Sequence, residues 1–159
     1  MSNTVGSEIE IRRADIGCDD AVGLITVLNA ELSRQYPEEG ATHFRLDAHE
    51  VVEGRGAFLI AYAGGKAVGC GAVRLLDGET AEIKRMFVIP DARGRGISKQ
   101  ILLGLESEGR RLGARKLVLE TGERQVEAMA LYRRAGFERI PAFGEYVDSP
   151  LSVCMAKEL

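Results

Sequence analysis

The chain has 159 residues, of which 45% are hydrophobic and 28% are charged, close to the average for soluble globular domains. This composition excludes disordered, collagen-like and coiled-coil chains, and the length predicts one domain spanning residues 1–159. The formal net charge of −3 argues against a nucleic-acid partner. Glycine is the outlier, at 19 residues, or about 12% against an average of roughly 7%.

Cysteine and histidine content bears on location and on metal chemistry. Cys18, Cys70 and Cys154 lack CxxC spacing and predict reduced thiols in a cytoplasmic protein. No run approaches the roughly 20 apolar residues of a membrane span, and the first residues do not resemble a signal peptide. The two histidines, His43 and His49, cannot build a histidine-rich site, so no metal is expected.

The first third of the chain predicts a strand and two helices. Alternating apolar and polar residues at Ile9–Ile11 are typical of a strand. A helix begins at Asp19, with apolar residues at helical spacing, and ends before Pro37. A second, short helix is predicted from Asp47 to Gly54.

The middle of the chain predicts an antiparallel meander. A β-rich run, Ala57–Ala63, is followed by the turn pair Gly64-Gly65 and an answering strand, Ala67–Leu76. Asp77-Gly78 is a second hairpin signal, of a type that favours positive φ, and it leads into a third strand, Thr80–Val88.

Helical periodicity then replaces strand alternation. A helix from Gly96 to Gly113 is followed by a short strand, Lys116–Glu120, and by a helix that ends at Gly136. Two weaker strands are predicted near Glu145–Val147 and Leu151–Ala156. Hairpins followed by a strand–helix–strand unit predict an α+β fold, with a mixed, mostly antiparallel twisted sheet flanked by helices.

A glycine-rich turn at Arg93–Ser98 joins the third meander strand to the next helix. The first turn of a helix carries unpaired N–H groups at its positive end, and glycines let a phosphate approach that backbone. Arg93, Arg95, the Ser98 hydroxyl and Lys99 add hydrogen-bond donors. The turn therefore predicts a pyrophosphate site.

Three phosphate-binding motifs differ in how well they fit this turn. The P-loop motif GxxxxGK[ST] has no match. The dinucleotide motif GxGxxG matches at Gly94 and Gly96, but Lys99 stands at its third glycine. The loop R-x-x-G-x-[GA], which holds the pyrophosphate of coenzyme A, matches at Arg93 and Gly96, with Ser98 at its last position. A glycine-rich helix entry without a ligand is the remaining alternative.

Two motifs together resemble the GCN5-related N-acetyltransferase (GNAT) superfamily, over nearly the whole chain from Ile9 to Leu159. The first, Val88–Ser98, resembles the acetyl-CoA loop of the family. The second, Gln125–Phe137, contains the pair Leu131-Tyr132 and resembles the C-terminal motif. Ser98 stands where the family usually has Gly or Ala, and Gln125 stands where many members have Asn.

The resemblance implies direct transfer of an acetyl group from acetyl-CoA to a primary amine of a small molecule or a protein, and it allows a homodimer. The backbone of Met86–Val88 would pair with the pantetheine arm of the cofactor, with the Val88 amide as oxyanion donor. The implied cofactor-binding residues are Met86, Phe87, Val88, Arg93, Gly94, Arg95, Gly96, Ile97, Ser98, Gln125 and Tyr132.

Acetyl transfer needs a base that deprotonates the amine and an acid that protonates the leaving thiolate. The resemblance implies that Tyr132 is the acid; the alternative is an aromatic that only packs at helical spacing. Glu82 matches the register of the base in the histone acetyltransferase branch. The alternative for Glu82 is a structural glutamate paired with Lys84 or Arg85, and Glu120 is a lower-ranked base.

In the superfamily the acceptor pocket is lined by the loop between the first two helices and by the C-terminal segment. These correspond here to residues 34–45 and 143–149. His43 is a further candidate base without motif support. Candidate substrate contacts are Tyr36, Phe44 and Tyr146, although such aromatics more often serve only packing.

Two other functions fit part of the pattern. A non-catalytic acyl-CoA-binding sensor or interaction module would keep the Arg93–Ser98 turn but would not need Tyr132. A nicotinamide-dinucleotide binder would be stabilised by NADH and not by acetyl-CoA. The presence of both motifs favours the enzyme.

Overall fold

The computed structural model describes residues 8–37 and 46–159. Helices and strands alternate in the order that the sequence predicts for most of the chain. The α-helices of these residues are α1 (Asp19–Gln35), α2 (Ile97–Arg111) and α3 (Val126–Arg134). The strands are β1 (Ile9–Arg13), β2 (Gly56–Ala63), β3 (Lys66–Leu75), β4 (Thr80–Val88), β5 (Lys116–Gly122), β6 (Glu138–Ile140) and β7 (Ser152–Glu158).

The strands form a single sheet in the order β1-β2-β3-β4-β5-β7-β6. Only β4 and β5 pair in parallel, and α2 connects them. The other neighbours pair antiparallel. The predicted mixed, mostly antiparallel sheet flanked by helices is confirmed. No helix in the described ranges is long and apolar enough to cross a bilayer.

Several local predictions were wrong. The predicted strand near Glu145–Val147 is replaced by one 3-10 turn, Gly144–Tyr146, which begins at a glycine with φ of 54°. The three-residue edge strand β6 was missed because so short a segment carries no measurable periodicity. The predicted helix after Asp47 is only a single 3-10 turn, Ala48–Val51.

The second hairpin turn also closes differently from its prediction. Gly78 does not adopt a positive φ. Instead the Asp77 carboxylate accepts hydrogen bonds from the N–H groups of Glu79 and Thr80, at 2.8 and 2.9 Å. A side chain therefore organises this turn, as aspartate commonly does at such positions.

Helices cover both faces of the sheet. α2 and α3 pack on one face and α1 packs on the other. Close packing around β3, including the approach of α2, explains why two of its positions that have no role in a turn are occupied by glycine. A Cβ on Gly71 would lie 2.8 Å from the side chains of Ile101 and Leu105, and one on Gly69 would lie 2.8 Å from the Phe87 carbonyl oxygen.

The central parallel pair separates halfway along β4. Pairing with β5 runs only as far as Ile83 opposite Leu119. Immediately afterwards the register between β3 and β4 shifts, and Arg85 adopts a φ of 62°. Such a bulge bends its strand, so β4 turns away from β5 and leaves an open edge between them.

Candidate active site

A cleft of about 1180 Å³ lies where β4 and β5 separate. Its walls come from α1, the second half of β4, the start of α2, the end of β5 and α3. Arg95 and Glu82 do not line it, and Phe44 and His43 lie outside the described residues. The predicted site residues that line it are Tyr36, Met86, Phe87, Val88, Arg93, Gly94, Gly96, Ile97, Ser98, Gln125, Tyr132 and Tyr146.

The start of α2 presents backbone to one end of the cleft. Gly94 and Gly96 have φ of 81° and 77°, a conformation that favours glycine, and no atom lies within 4 Å of where their Cβ atoms would be. The first helical bond is donated by Gln100 to the Gly96 carbonyl at 3.2 Å, so the preceding N–H groups lack helical partners. This open, acid-free turn fits the pyrophosphate of coenzyme A.

Arg93 does not point its guanidinium into this turn. Its Nε donates to the Val88 carbonyl at 2.9 Å, and its Nη2 donates to the Glu31 carboxylate at 2.9 and 3.0 Å. The guanidinium thus ties the end of β4 to α1. The groups that this turn presents to the cleft are therefore backbone N–H groups, with Ser98 and Lys99 beside them.

The open edge of β4 has a defined polarity. Ile89 donates its N–H to the Val68 carbonyl of β3 at 2.9 Å. Because backbone groups alternate sides along a strand, the N–H and carbonyl of Val88 face the cleft. The bond from Arg93 to the Val88 carbonyl agrees with this direction. The Val88 N–H is thereby available to a ligand.

Tyr132 lines the cleft from α3. Its residue surface is only 6% exposed, and its ring packs edge-on against Phe137 with centroids 5.7 Å apart. Burial, with a smaller effect from Glu120, raises the pKa of Tyr132 above its ordinary value of 10. Within the described ranges its hydroxyl has no hydrogen-bond partner. The group is therefore a neutral, unengaged proton donor.

Glu82 is buried behind the cleft wall, with 1% exposure. Its Oε1 accepts hydrogen bonds from Nε and Nη2 of Arg74 at 3.0 and 2.8 Å. Its Oε2 accepts one from the Tyr146 hydroxyl at 2.6 Å. The ion-pair partner is therefore Arg74, and not Lys84 or Arg85 as the structural alternative expected. Arg74 lies directly opposite Glu82 across the hairpin, so the register counted from the Asp77-Gly78 turn could have identified it.

Tyr146 connects this buried carboxylate to the cleft, which it lines. Burial, together with the charge of Glu82, raises the pKa of Tyr146 above that of an ordinary tyrosine. Its hydroxyl is therefore protonated at neutral pH. Among the hydrogen bonds described above, the one from Tyr146 is the one that joins a residue of the cleft wall to the predicted base, Glu82.

A second carboxylate, that of Glu120, lines the cleft directly from the end of β5. The Ser152 hydroxyl donates to Glu120 Oε2 at 2.5 Å and is within 2.8 Å of the Ser149 hydroxyl. Sequence reasoning missed both serines, because Ser149 lies in an irregular segment, Ser152 is the first residue of β7, and neither belongs to a recognisable motif.

Tyr36 closes the cleft beside the end of α1. Its hydroxyl accepts a hydrogen bond from the Arg124 N–H at 2.8 Å, and the Arg124 guanidinium lies 5.1 Å from its ring centre. A Cβ on Gly122 would collide with the Tyr36 ring. This predicted substrate contact is thus also a packing residue that fixes α1 against the end of β5.

Family and sequence comparisons agree on one class of protein. The model of the "Acetyltransferase (GNAT) family" matches residues 23–137. The chain is 41% identical over 142 residues to an IAA acetyltransferase of Azospirillum brasilense, covering 89% of this chain and 92% of that protein. It is 36% identical over 104 residues to the uncharacterized N-acetyltransferase YsnE of Bacillus subtilis, covering 64% and 69% of the two chains.

Solved structures agree with this class. A Klebsiella pneumoniae protein assigned as an acyl-CoA N-acyltransferase superposes with a TM-score of 0.80 at 31% identity, covering 96% of this chain and 99% of that one. The PaiA N-acetyltransferase of Thermoplasma acidophilum, in complex with coenzyme A, shares the fold at 20% identity with a TM-score of 0.72, covering 96% and 99% of the two chains.

Proposed function

Because the chain belongs to the acetyltransferase (GNAT) family, it transfers the acetyl group of acetyl-CoA to an amine, and we propose that it does so in the cleft between β4 and β5. The observation that carries this assignment is the joint placement, along one cleft, of the free backbone at the start of α2, the Val88 N–H and the Tyr132 hydroxyl.

The cofactor would be held mainly by backbone. Gly94, Gly96 and the N–H groups of residues 97–99 would bind the pyrophosphate, and the open edge at Met86–Val88 would pair with the pantetheine arm. Gln125, at the start of α3, would contact the same arm. When bound, acetyl-CoA supplies the thioester carbon that the amine attacks.

Glu82 would deprotonate the amine through Tyr146. The Tyr146 oxygen takes the proton of the incoming ammonium while its own proton moves to Glu82 Oε2, 2.6 Å away. Arg74 holds the other carboxylate oxygen and so keeps Glu82 in place. Glu120 is a second candidate base, because its carboxylate lines the cleft without an intermediary.

Tyr132 would complete the reaction as the acid. Its raised pKa keeps the hydroxyl protonated at neutral pH, so it has a proton to give to the departing thiolate. The Val88 N–H would stabilise the negative charge that develops on the acetyl oxygen. We further propose a cytoplasmic location, in keeping with the free thiols of Cys18, Cys70 and Cys154.

The proposed function is tested by incubating the protein with acetyl-CoA and a panel of amines. Free thiol is measured, and the products are identified by mass spectrometry. We expect thiol release that depends on the amine and an acetyl mass added to its nitrogen. Binding of acetyl-CoA without turnover on any amine would contradict catalysis and support the sensor alternative. Stabilisation by NADH but not by acetyl-CoA would contradict the cofactor assignment.

A further inference from the structure

Arg85 carries a positive charge that no acidic side chain of residues 8–37 and 46–159 balances. It lines the cleft at the bulge of β4, and its Nη1 donates to the neutral amide of Asn29 at 2.8 Å. Its Nε is buried without a hydrogen-bond partner in the part of the chain that the structure describes. The nearest wall, α1, offers Glu31, but Arg93 already binds that carboxylate.

Lys84 adds a second cation beside Arg85. Its side chain is only 5% exposed, and its Nζ has no hydrogen bond with any described residue. The Glu145 carboxylate lies 3.8 Å from this Nζ, within ion-pair range but beyond hydrogen-bond range. Burial lowers the pKa of both Lys84 and Arg85. Lys84 and Arg85 thus place two cationic side chains in sequence on the cleft-lining half of β4.

Two other arginines near the cleft are neutralised. Arg74 is bound by Glu82 and Glu50, and Arg93 is bound by Glu31. A partly buried charge without a partner is costly to fold, so its retention in a binding cleft points to a ligand that supplies the opposite charge. The positive φ of Arg85 is a second cost, of the kind that persists at ligand sites.

We propose that the acetyl acceptor carries a carboxylate as well as its amine, and that Arg85 binds this carboxylate. The inference rests on the proposed function, because it assigns the acceptor of that same cleft. Asn29 holds one terminal nitrogen of Arg85, which leaves the edge formed by Nε and Nη2 for a paired interaction with a carboxylate. A small rotamer change of the kind common on ligand binding would present that edge.

The position of Arg85 limits the size of the acceptor. Val88 lies three residue steps beyond Arg85 in β4, or roughly 10 Å of extended strand, less the shortening at the bulge. The arginine side chain spans part of this distance. The amine and the carboxylate therefore lie a few bonds apart, as in a small amino acid, and a long polyamine or a protein side chain would leave Arg85 without its partner.

The test uses matched acceptors that differ only in charge. Glycine, alanine and β-alanine are compared with their carboxamides, and kcat/KM is measured from thiol release. We expect the acids to be preferred by about 10- to 100-fold, the range for a hydrogen bond to a charged group. Arg85→Met should remove this preference while leaving acetyl-CoA binding, measured by calorimetry, unchanged. Arg85→Lys should restore part of it.

Arg55→Met is the control, because Arg55 is exposed and remote from the cleft. It should keep the full preference for acids. Equal rates on acids and amides, or an undiminished preference in Arg85→Met, would overturn the carboxylate assignment but leave acetyl transfer standing. Acetylation of other amines of the panel but of neither series would overturn this inference alone, whereas acetylation of no amine at all would overturn both this inference and the proposed function.

Discussion

The two ends of the cleft recognise their ligands by different means. At the start of α2 the ligand-facing groups are backbone amides held by Gly94 and Gly96, with few side chains. At the proposed acceptor end, charged and aromatic side chains of β4, α1 and the C-terminal segment form the wall, and Arg74 of β3 holds Glu82 behind it. The cofactor end is therefore a local structure, whereas the acceptor end exists only when distant segments pack together.

This difference predicts distinct effects of substitutions at the two ends. Changes at the start of α2 should weaken acetyl-CoA binding while sparing turnover at saturation. Changes among the buried residues of the acceptor end should reduce turnover and also stability, because each of those side chains is a hydrogen-bond or ion-pair partner of another.

The largest effect is expected for Tyr132→Phe, which lies between the two ends. Loss of the proton donor should lower kcat by about 10²–10⁴-fold, the usual contribution of general acid–base catalysis. The ring still packs on Phe137, so stability and acetyl-CoA binding should change little. Steady-state kinetics and calorimetry check both expectations. Undiminished turnover at every pH would remove Tyr132 from the acid role.

Glu82→Gln tests the buried acceptor end. It should lower kcat by about 100-fold and destabilise the fold by about 3–5 kcal/mol, because Arg74 is left without a full countercharge. Thermal unfolding separates the two effects when rates are measured on folded protein. Glu79→Gln, at an exposed glutamate whose ion pair with Arg115 spans 3.7 Å, is the control and should change neither.

The same experiment on Glu120→Gln distinguishes the two candidate bases. If Glu82 is the base, Glu120→Gln should retain most of the turnover. A larger loss of kcat in Glu120→Gln than in Glu82→Gln would transfer the role to Glu120.

Gly96→Ala tests the cofactor end. A side chain in the left-handed conformation costs about 1–2 kcal/mol, so we expect an acetyl-CoA dissociation constant about tenfold higher. The value of kcat at saturating acetyl-CoA should stay unchanged. Gly23→Ala in α1 is the matched control, because Gly23 is exposed and helical with free space around it. It should leave binding unchanged and add about 0.5–1 kcal/mol of stability.

The smallest effect concerns alkaline pH. The pKa values of Tyr132 and Tyr146 are raised in the folded state, so above the ordinary value near pH 10 the unfolded chain loses protons that the folded chain retains. The stability that these protons supply is present below pH 10 and declines by about 1.4 kcal/mol per pH unit for each tyrosine as the pH rises further. Denaturant titrations at pH 9 to 11 should show a shallower decline in Tyr132→Phe than in the unsubstituted protein.

Local patterns accounted for the features whose physical cause is local. The glycines of the first hairpin, the helix entry at Gly96 and the helix ends at Gly113 and Gly136 all take positive φ, as their neighbours predict. The hairpin at Asp77-Gly78 was predicted, but its closure by the Asp77 carboxylate was not. The 3-10 turn at Gly144–Tyr146 escaped prediction, because a single glycine there outweighs the strand propensity of the flanking residues.

The sequence by itself determined most of the strand and helix order, the glycine-rich turn at Arg93–Ser98 and the two motifs that resemble the family, because each depends on residues close together in the chain. Tertiary structure alone decided how the charges pair. Arg93 binds Glu31 across 62 positions, Tyr146 binds Glu82 across 64, and the Arg85 side chain donates to Asn29 and to no other side chain of the described residues. Charge pairing depends on which side chains the sheet and helices bring within a few ångströms, and no local pattern encodes that distance.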